Sequence, residues 1–327
     1  MTGAIIWALT DDRPGTATQV LAVAEALGQP VVEKKLRYDG FARLPNLLRG
    51  ASLVGVDDAT RASLVAPWPD LVIGAGRRCA PVARWIKHQA DRPMRLVQIM
   101  NPGRMGAGAF DLIAVPHHDC IVPGGDAANV LRITGAPHRI TPPVLAQARA
   151  KWEPSIAHLP RPRIALLVGG ATNRKPFPTI VAADLGRRVA AMTQGVNGSV
   201  LMSTSRRTGA EADAALKAAI AAVPHMSYAW GQSGENPYLG FLALADAIVV
   251  TGDSVSMCSE ACATGNAVFI AAPPDITAAK HQRLHRELYG MDYARPFDGR
   301  FATWSHDPLN AAGEIAAAVE RLLKNAV

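Results

Sequence analysis

Between Val249 and Gly265 the sequence sets three chemical features in one register. An apolar run ending at Val250 reads as a strand, Thr251-Gly252-Asp253-Ser254 as a small polar turn, and Ser256 to Thr264 as a helix. The first N–H groups of a helix have no partner within it, and its dipole favours negative charge at that end. With Asp253, Ser254 and Ser256 beside them as candidate binding residues, these groups suit a phosphate. Glu260 follows Ser256 by four residues, on the same helical face one turn further in. A carboxylate there can accept hydrogen bonds from ribose hydroxyls; its plain alternative is a surface acid.

Two more loops carry related chemistry. Gly169-Gly170-Ala171-Thr172-Asn173-Arg174-Lys175 follows an apolar strand, and paired glycines let backbone N–H groups approach an anion, with Arg174 adding charge. An ordinary glycine turn is the competing expectation. Ser203-Thr204-Ser205-Arg206-Arg207 follows the next strand. Its hydroxyls and the forked guanidinium groups of Arg206 and Arg207 suit a diphosphate or a ribose, against the alternative of a solvated polar cap.

Earlier in the chain, Asp11 and Asp12 follow the first strand, where either could act as general base on an acceptor hydroxyl or cap the next helix. His117-His118-Asp119 follows another strand, but adjacent histidines on extended chain point apart, which argues against a shared metal. Leu71-Val72-Ile73-Gly74-Ala75-Gly76-Arg77-Arg78-Cys79 has the outline of a dinucleotide fingerprint. Cys79 replaces its third glycine and the next strand ends at Asn101 instead of an acid, so a dehydrogenase or epimerase of that type is not expected. Cys258 and Cys262 stand four apart and read as small buried residues.

These loops need strands to carry them. Short apolar runs alternate with helical patterns along the whole chain, the signature of parallel sheets with crossover helices. Prolines at 142, 143, 154, 160 and 162 mark an interdomain link. The expected fold is therefore α/β, with two Rossmann-like domains facing across a cleft at the carboxyl ends of their strands. The first spans 1–145 and the second 160–305, and an amphipathic closing helix within 311–327 returns to the first.

At 327 residues the chain exceeds one comfortable core. A net charge of +7 is spread along it and aromatics make up 6%, so a nucleic-acid partner is not expected. Phosphorylated small molecules or an anionic membrane surface fit better, with Arg77, Arg78, Arg84 and Lys87 as the candidates for membrane contact. Met1 to Ile5 lacks the basic opening of a signal peptide and no apolar run reaches bilayer length, so a cytoplasmic protein is expected, at most peripheral to the inner membrane.

The blocks TDDRPGTATQVLAVAEALG, VQIMNPGRMGAGAFDLIAVPHHD, LLVGGATNRKPF and WGQSGENPYLGFLALADAIVVTGDSVSMCSEACATG resemble the mitochondrial-fission "elongated mitochondria" family, over most of the chain. Bacterial members of that family carry a glycosyltransferase label. The last block is also similar to the donor-binding stretch of GT-B glycosyltransferases such as the peptidoglycan N-acetylglucosaminyltransferase that makes lipid II. This resemblance implies that Ser254 and Ser256 hold a donor diphosphate, that Glu260 holds the ribose, and that Gln282, in Lys280-His281-Gln282-Arg283, contacts the donor sugar. Gly169 and Gly170 match the first glycine loop of the second domain.

A nucleotide-diphosphate sugar is then the donor substrate, with no metal or other cofactor, and the acceptor is a hydroxyl of a cell-envelope lipid or saccharide. The first-strand loop departs from the transferase pattern, since Asp11-Asp12-Arg13-Pro14-Gly15 stands where a glycine-rich run is usual. Plant relatives are described as adaptors that recruit a dynamin-like protein, so the alternative is a non-catalytic scaffold that binds protein partners at a membrane.

Overall fold

A computed structural model describes residues 4–103, 106–119, 127–173 and 175–324 of the chain. Two compact units emerge, Met1–Arg139 with Asn310–Val327, and Ile140–Leu309.

The first unit runs β1 (Ile6–Asp11), α1 (Pro14–Ala26), β2 (Val31–Leu36), α2 (Asn46–Arg49), α3 (Asp58–Ser63), β3 (Leu71–Ala75), α4 (Gly76–Gln89), β4 (Arg95–Ile99), β5 (Leu112–Pro116) and β6 (Val130–Ile133). Its six strands are parallel, in the order β2-β1-β3-β4-β5-β6. β3 and β5 are buried at every position, because helices cover both faces of the sheet. That is why they read as unbroken apolar runs and not as an alternation.

The second unit runs α5 (Pro142–Ile156), β7 (Arg163–Val168), α6 (Thr179–Gln194), β8 (Ser199–Thr204), α7 (Ala210–Ile220), β9 (His225–Tyr228), α8 (Tyr238–Leu244), β10 (Ala247–Thr251), α9 (Val255–Cys262), β11 (Ala267–Ala271), α10 (Ala279–Gly290) and β12 (Arg295–Pro296). Its strands are also parallel, in the order β12-β11-β10-β7-β8-β9. Successive side chains of β7 feed opposite layers. Ile164, Leu166 and Val168 pack with Leu185 and Val189 of α6, whereas Ala165 and Leu167 pack with Cys258 of α9 and Leu284 of α10.

The proline-rich stretch read as a link is largely helix. Thr141 caps α5 by accepting from the Val144 N–H at 3.4 Å, and Pro142 and Pro143 fill the first turn, where an N–H would have no helical partner. α5 counts with the second unit and sets Trp152 against Gly240 of α8, where a side chain would overlap the indole. The last helix, α11 (Ala311–Lys324), belongs to the first unit, where Ile315 and Val319 share a core with Val20 and Val23 of α1. None of the described helices is long and apolar enough to cross a membrane.

Candidate functional site

In the second unit β10, β7 and β8 are neighbours and parallel, so their carboxyl ends lie side by side. The loops leaving those ends are bonded to one another. Thr251 Oγ1 accepts from the Gly169 N–H at 2.7 Å, and Asp253 Oδ2 accepts from the Gly170 N–H at 2.9 Å. From the third loop, the Thr208 hydroxyl donates to the Gly169 carbonyl at 2.7 Å, and the Ser205 hydroxyl bonds to the same oxygen. Arg207 Nη1 meets Asp253 Oδ2 at 2.8 Å and donates to the Ala171 carbonyl at 3.0 Å.

Two nominated residues, Asp253 and Arg207, thereby acquire structural partners, and a third, Ser203, leaves the loop. Asp253 is 3% exposed and faces inward, so its charge holds the loops together and cannot itself attract a phosphate. Arg207 is spent on Asp253 and on carbonyls. Ser203 is buried within β8, which runs two residues beyond the apolar run seen in the sequence, so the loop proper begins at Ser205. Arg206 is exposed on that loop, and Gln282 is exposed on the first turn of α10. Arg174 lies outside the described residues.

The glycine pair has a packing reason of its own. A side chain at Gly169 would overlap the Asp253 carboxylate, and one at Gly170, where φ is +128°, would overlap the backbone of Arg207 and Thr208. Gly252 is similarly closed in by His285, whose Nε2 lies 2.9 Å from the Gly252 carbonyl. Burial pushes His285 down to about 4, so it is neutral and donates its Nε2 proton to that carbonyl. His281, one turn earlier on α10, feels the Asp253 charge, yet burial still lowers its titration.

At the mouth of α9, Ser254 is the N-cap, its hydroxyl accepting from the Met257 N–H at 3.4 Å. The amides of Val255 and Ser256 come earlier in the helix and have no intrahelical acceptor. Ser256 is half-buried beside them. Glu260 is half-buried too, and Tyr238 donates its hydroxyl to Glu260 Oε2 at 2.5 Å. Burial pushes the Glu260 carboxyl up to about 7, although the Tyr238 hydrogen bond opposes this. Cys258 and Cys262 are fully buried, and burial raises both thiols far above their ordinary range. Sequence spacing gave no sign of Tyr238, Thr251 or Thr208, whose partners lie 22, 82 and 39 residues away.

The raised Glu260 carboxyl has a consequence for stability. A carboxyl whose folded titration lies above its unfolded value weakens the fold as pH rises between the two, here from its ordinary value near 4.5 to about 7. Glu260→Gln keeps an acceptor for Tyr238 and removes the charge. It is expected to stabilise the protein by on the order of 2 kcal/mol at pH 8, after allowing for partial exposure, and by nothing near pH 4. Urea denaturation at the two pH values checks this; an equal effect at both would refute it.

In the first unit, Asp11 and Asp12 both pair with Arg78, Asp11 Oδ2 at 2.8 Å, and their side chains are 5% and 60% exposed. Neither caps α1 through its side chain; the N-cap residue is Arg13, whose N–H donates to Asp11 Oδ1 at 3.1 Å. Asp11, Arg13, Thr16, Arg77, Arg78 and Asn101 line a cavity of about 290 Å³. His117 is exposed and its neighbour His118 buried, so they face apart. Of the basic residues nominated for membrane contact, Arg78 and Lys87 are paired with carboxylates, and Arg77 and Arg84 donate to backbone carbonyls.

A cavity of about 630 Å³ also opens in the second unit, beside Leu185, Arg188, Ile276 and Phe297. Among the described residues no group of three or more His, Cys, Asp or Glu side chains is arranged to hold a metal.

Known proteins share this arrangement of sheets. MurG of Acinetobacter baumannii matches with a TM-score of 0.53 at 12% identity, over 97% of this chain and 99% of that one. The UDP-GlcNAc 2-epimerase of Neisseria meningitidis, solved with UDP-GlcNAc, matches with the same TM-score of 0.53 at 12% identity, over 98% and 99%. Such identities establish the fold, the two-domain GT-B architecture of MurG, and a fold shared by a transferase and an epimerase does not choose between their chemistries. The mitochondrial fission protein ELM1 of Arabidopsis thaliana is 29% identical over 297 residues, 84% of this chain and 68% of that protein. The model of the mitochondrial fission ELM1 family matches residues 14–323, from the start of α1 almost to the end of α11, and the chain belongs to that family.

Proposed function

We propose that the second unit binds a nucleotide-diphosphate sugar and that the protein transfers the sugar to an acceptor hydroxyl. The open amides of Val255 and Ser256 receive the diphosphate, Arg206 and Arg174 supply charge beside it, and Gln282 contacts the sugar. Glu260 is held by Tyr238 through Oε2, which leaves Oε1 for a ribose hydroxyl. Asp11 or Asp12 takes the proton of the attacking hydroxyl, Asp12 being the more accessible of the two. The acceptor is a cell-envelope lipid or saccharide, reached from the cytoplasm at the inner membrane. The observation that carries this reading is the meeting of three loops at the carboxyl ends of β10, β7 and β8 beside the mouth of α9, whose first amides have no intrahelical acceptor.

A thermal-shift panel of UDP, GDP, CDP and their sugars tests it. A true donor nucleotide at 100 times its dissociation constant adds about 2.7 kcal/mol of stability. That gain is expected to disappear in Glu260→Ala. Silence across the panel overturns the reading.

One observation favours a second reading, a scaffold without catalysis. Asp253 neutralises Arg207, which removes one of the cations a departing diphosphate would use. A panel without response, together with capture of a protein partner by the intact chain, would support it.

A further inference from the structure

Residues 40–54 of the first unit, between β2 and β3, have their polarity reversed. Phe41, Leu44, Leu47, Leu48 and Val54 are 66%, 36%, 65%, 70% and 42% exposed, whereas Asn46 and Arg49 in their midst are 7% and 2% exposed. Those five are nearly half of the eleven large apolar side chains exposed among the described residues, so they form a cluster and not the ordinary scatter of a soluble surface.

The polar groups are the anchors of this segment. The Asn46 amide donates to the carbonyls of Arg77 at 2.9 Å and Pro102 at 2.8 Å. Arg49 donates to the carbonyls of Val54 at 3.0 Å and Arg78 at 3.3 Å. Asp39 accepts from the Phe41 N–H at 2.8 Å, and Gly55, with φ of +81°, sits so close to the Ala42 backbone that a side chain would overlap it. A loop that was merely loose would not spend a buried arginine and a buried asparagine on fixing its path. These bonds hold the apolar side chains outward.

Within the face the charge has one sign, with Asp39 and Asp57 standing at its two ends. Between Gly40 and Val56 there is no carboxylate, Arg43 is exposed, and exposed Arg77 donates to the Leu44 carbonyl at 2.7 Å just beneath. A two-fold contact with a second copy would bring these cations against their own images, with no acid between Gly40 and Val56 to answer them. An anionic bilayer answers both features, since apolar side chains enter below the headgroups while arginines meet lipid phosphates.

We propose that residues 40–54 are a membrane-docking surface, with Phe41, Leu47 and Leu48 as the inserted side chains and Arg43 as the phosphate contact. This goes beyond the nucleotide reading and does not depend on it.

Co-sedimentation of the full chain with vesicles tests the proposal, using mixed phosphatidylglycerol and phosphatidylcholine, and phosphatidylcholine alone. The wild type is expected to partition onto the mixed vesicles and to leave them at high salt. Leu47→Glu/Leu48→Glu is expected to lower that partition by roughly tenfold or more, with an unchanged circular dichroism spectrum and melting temperature, since both side chains already face water. Phe41→Ser gives an independent reading should the double variant fold poorly. Wild-type protein indifferent to both vesicles, or variants that sediment as the wild type does, would overturn the proposal. So would a concentration-dependent dimer that the double variant loses, which would assign the face to a second copy.

Discussion

Asp253→Ala is expected to destabilise the protein by roughly 3 kcal/mol, seen as a lower urea midpoint at unchanged slope. Asp253 is 3% exposed, accepts from the Gly170 N–H at 2.9 Å and faces Arg207 at 2.8 Å. Removing it leaves a buried N–H without an acceptor, which costs about 1–3 kcal/mol, and leaves Arg207 without its counter-ion. Because the Arg207 side chain keeps 34% of its exposure, water recovers part of the ionic loss, and the sum stays below the ceiling for a fully buried pair. Asp253→Asn retains an amide oxygen for Gly170 and is expected to lose about half as much. A loss under about 1 kcal/mol for the alanine variant would show that the three loops do not depend on this carboxylate.

The inward turn of Asp253 also marks where sequence reasoning stops. Position after a strand and before a helix was legible, because apolar runs such as Leu71-Val72-Ile73 and Ala247-Ile248-Val249-Val250 are buried on both faces and cannot alternate. The direction of an acid in the turn was not legible. It depends on Gly169 and Gly170, more than 80 residues away, whose backbone N–H groups need acceptors when another loop closes over them.

Ser203 was misplaced for a related reason. Polar residues signal a loop, yet Ser203 and Thr204 continue β8 because β7 pairs with both and β9 with Ser203, and both are buried. Pro142 and Pro143 misled in the opposite sense, since proline density marks a linker but also suits the first turn of a helix. In residues 40–54, Phe41, Leu44, Leu47 and Leu48 recur at the spacing of an apolar helical face, which would place them in the core. Periodicity assumes that apolar side chains face the core, and there they face outward.

Gly170→Ala is expected to be the more damaging change, at about 4 kcal/mol, because two costs add at that position. The backbone sits at φ +128°, which side chains rarely adopt and which costs about 1–3 kcal/mol. The new methyl would also overlap the main chain at Arg207 and Thr208, which, unlike a side-chain tip, cannot swing aside. Gly209→Ala separates the two terms, since Gly209 has φ +79° but nothing within 4 Å of the added carbon. It should carry the strain alone, about 1 kcal/mol. Similar losses at the two glycines would refute the overlap and leave only backbone strain. Combining Gly170→Ala with Asp253→Ala is expected to cost less than the two separately, because both variants disturb the same Gly170 N–H to Asp253 bond. Strict additivity in urea denaturation would mean that the glycine loop and the turn before α9 are not one unit, and an anion seated on α9 would then have no reason to sense the loop after β7.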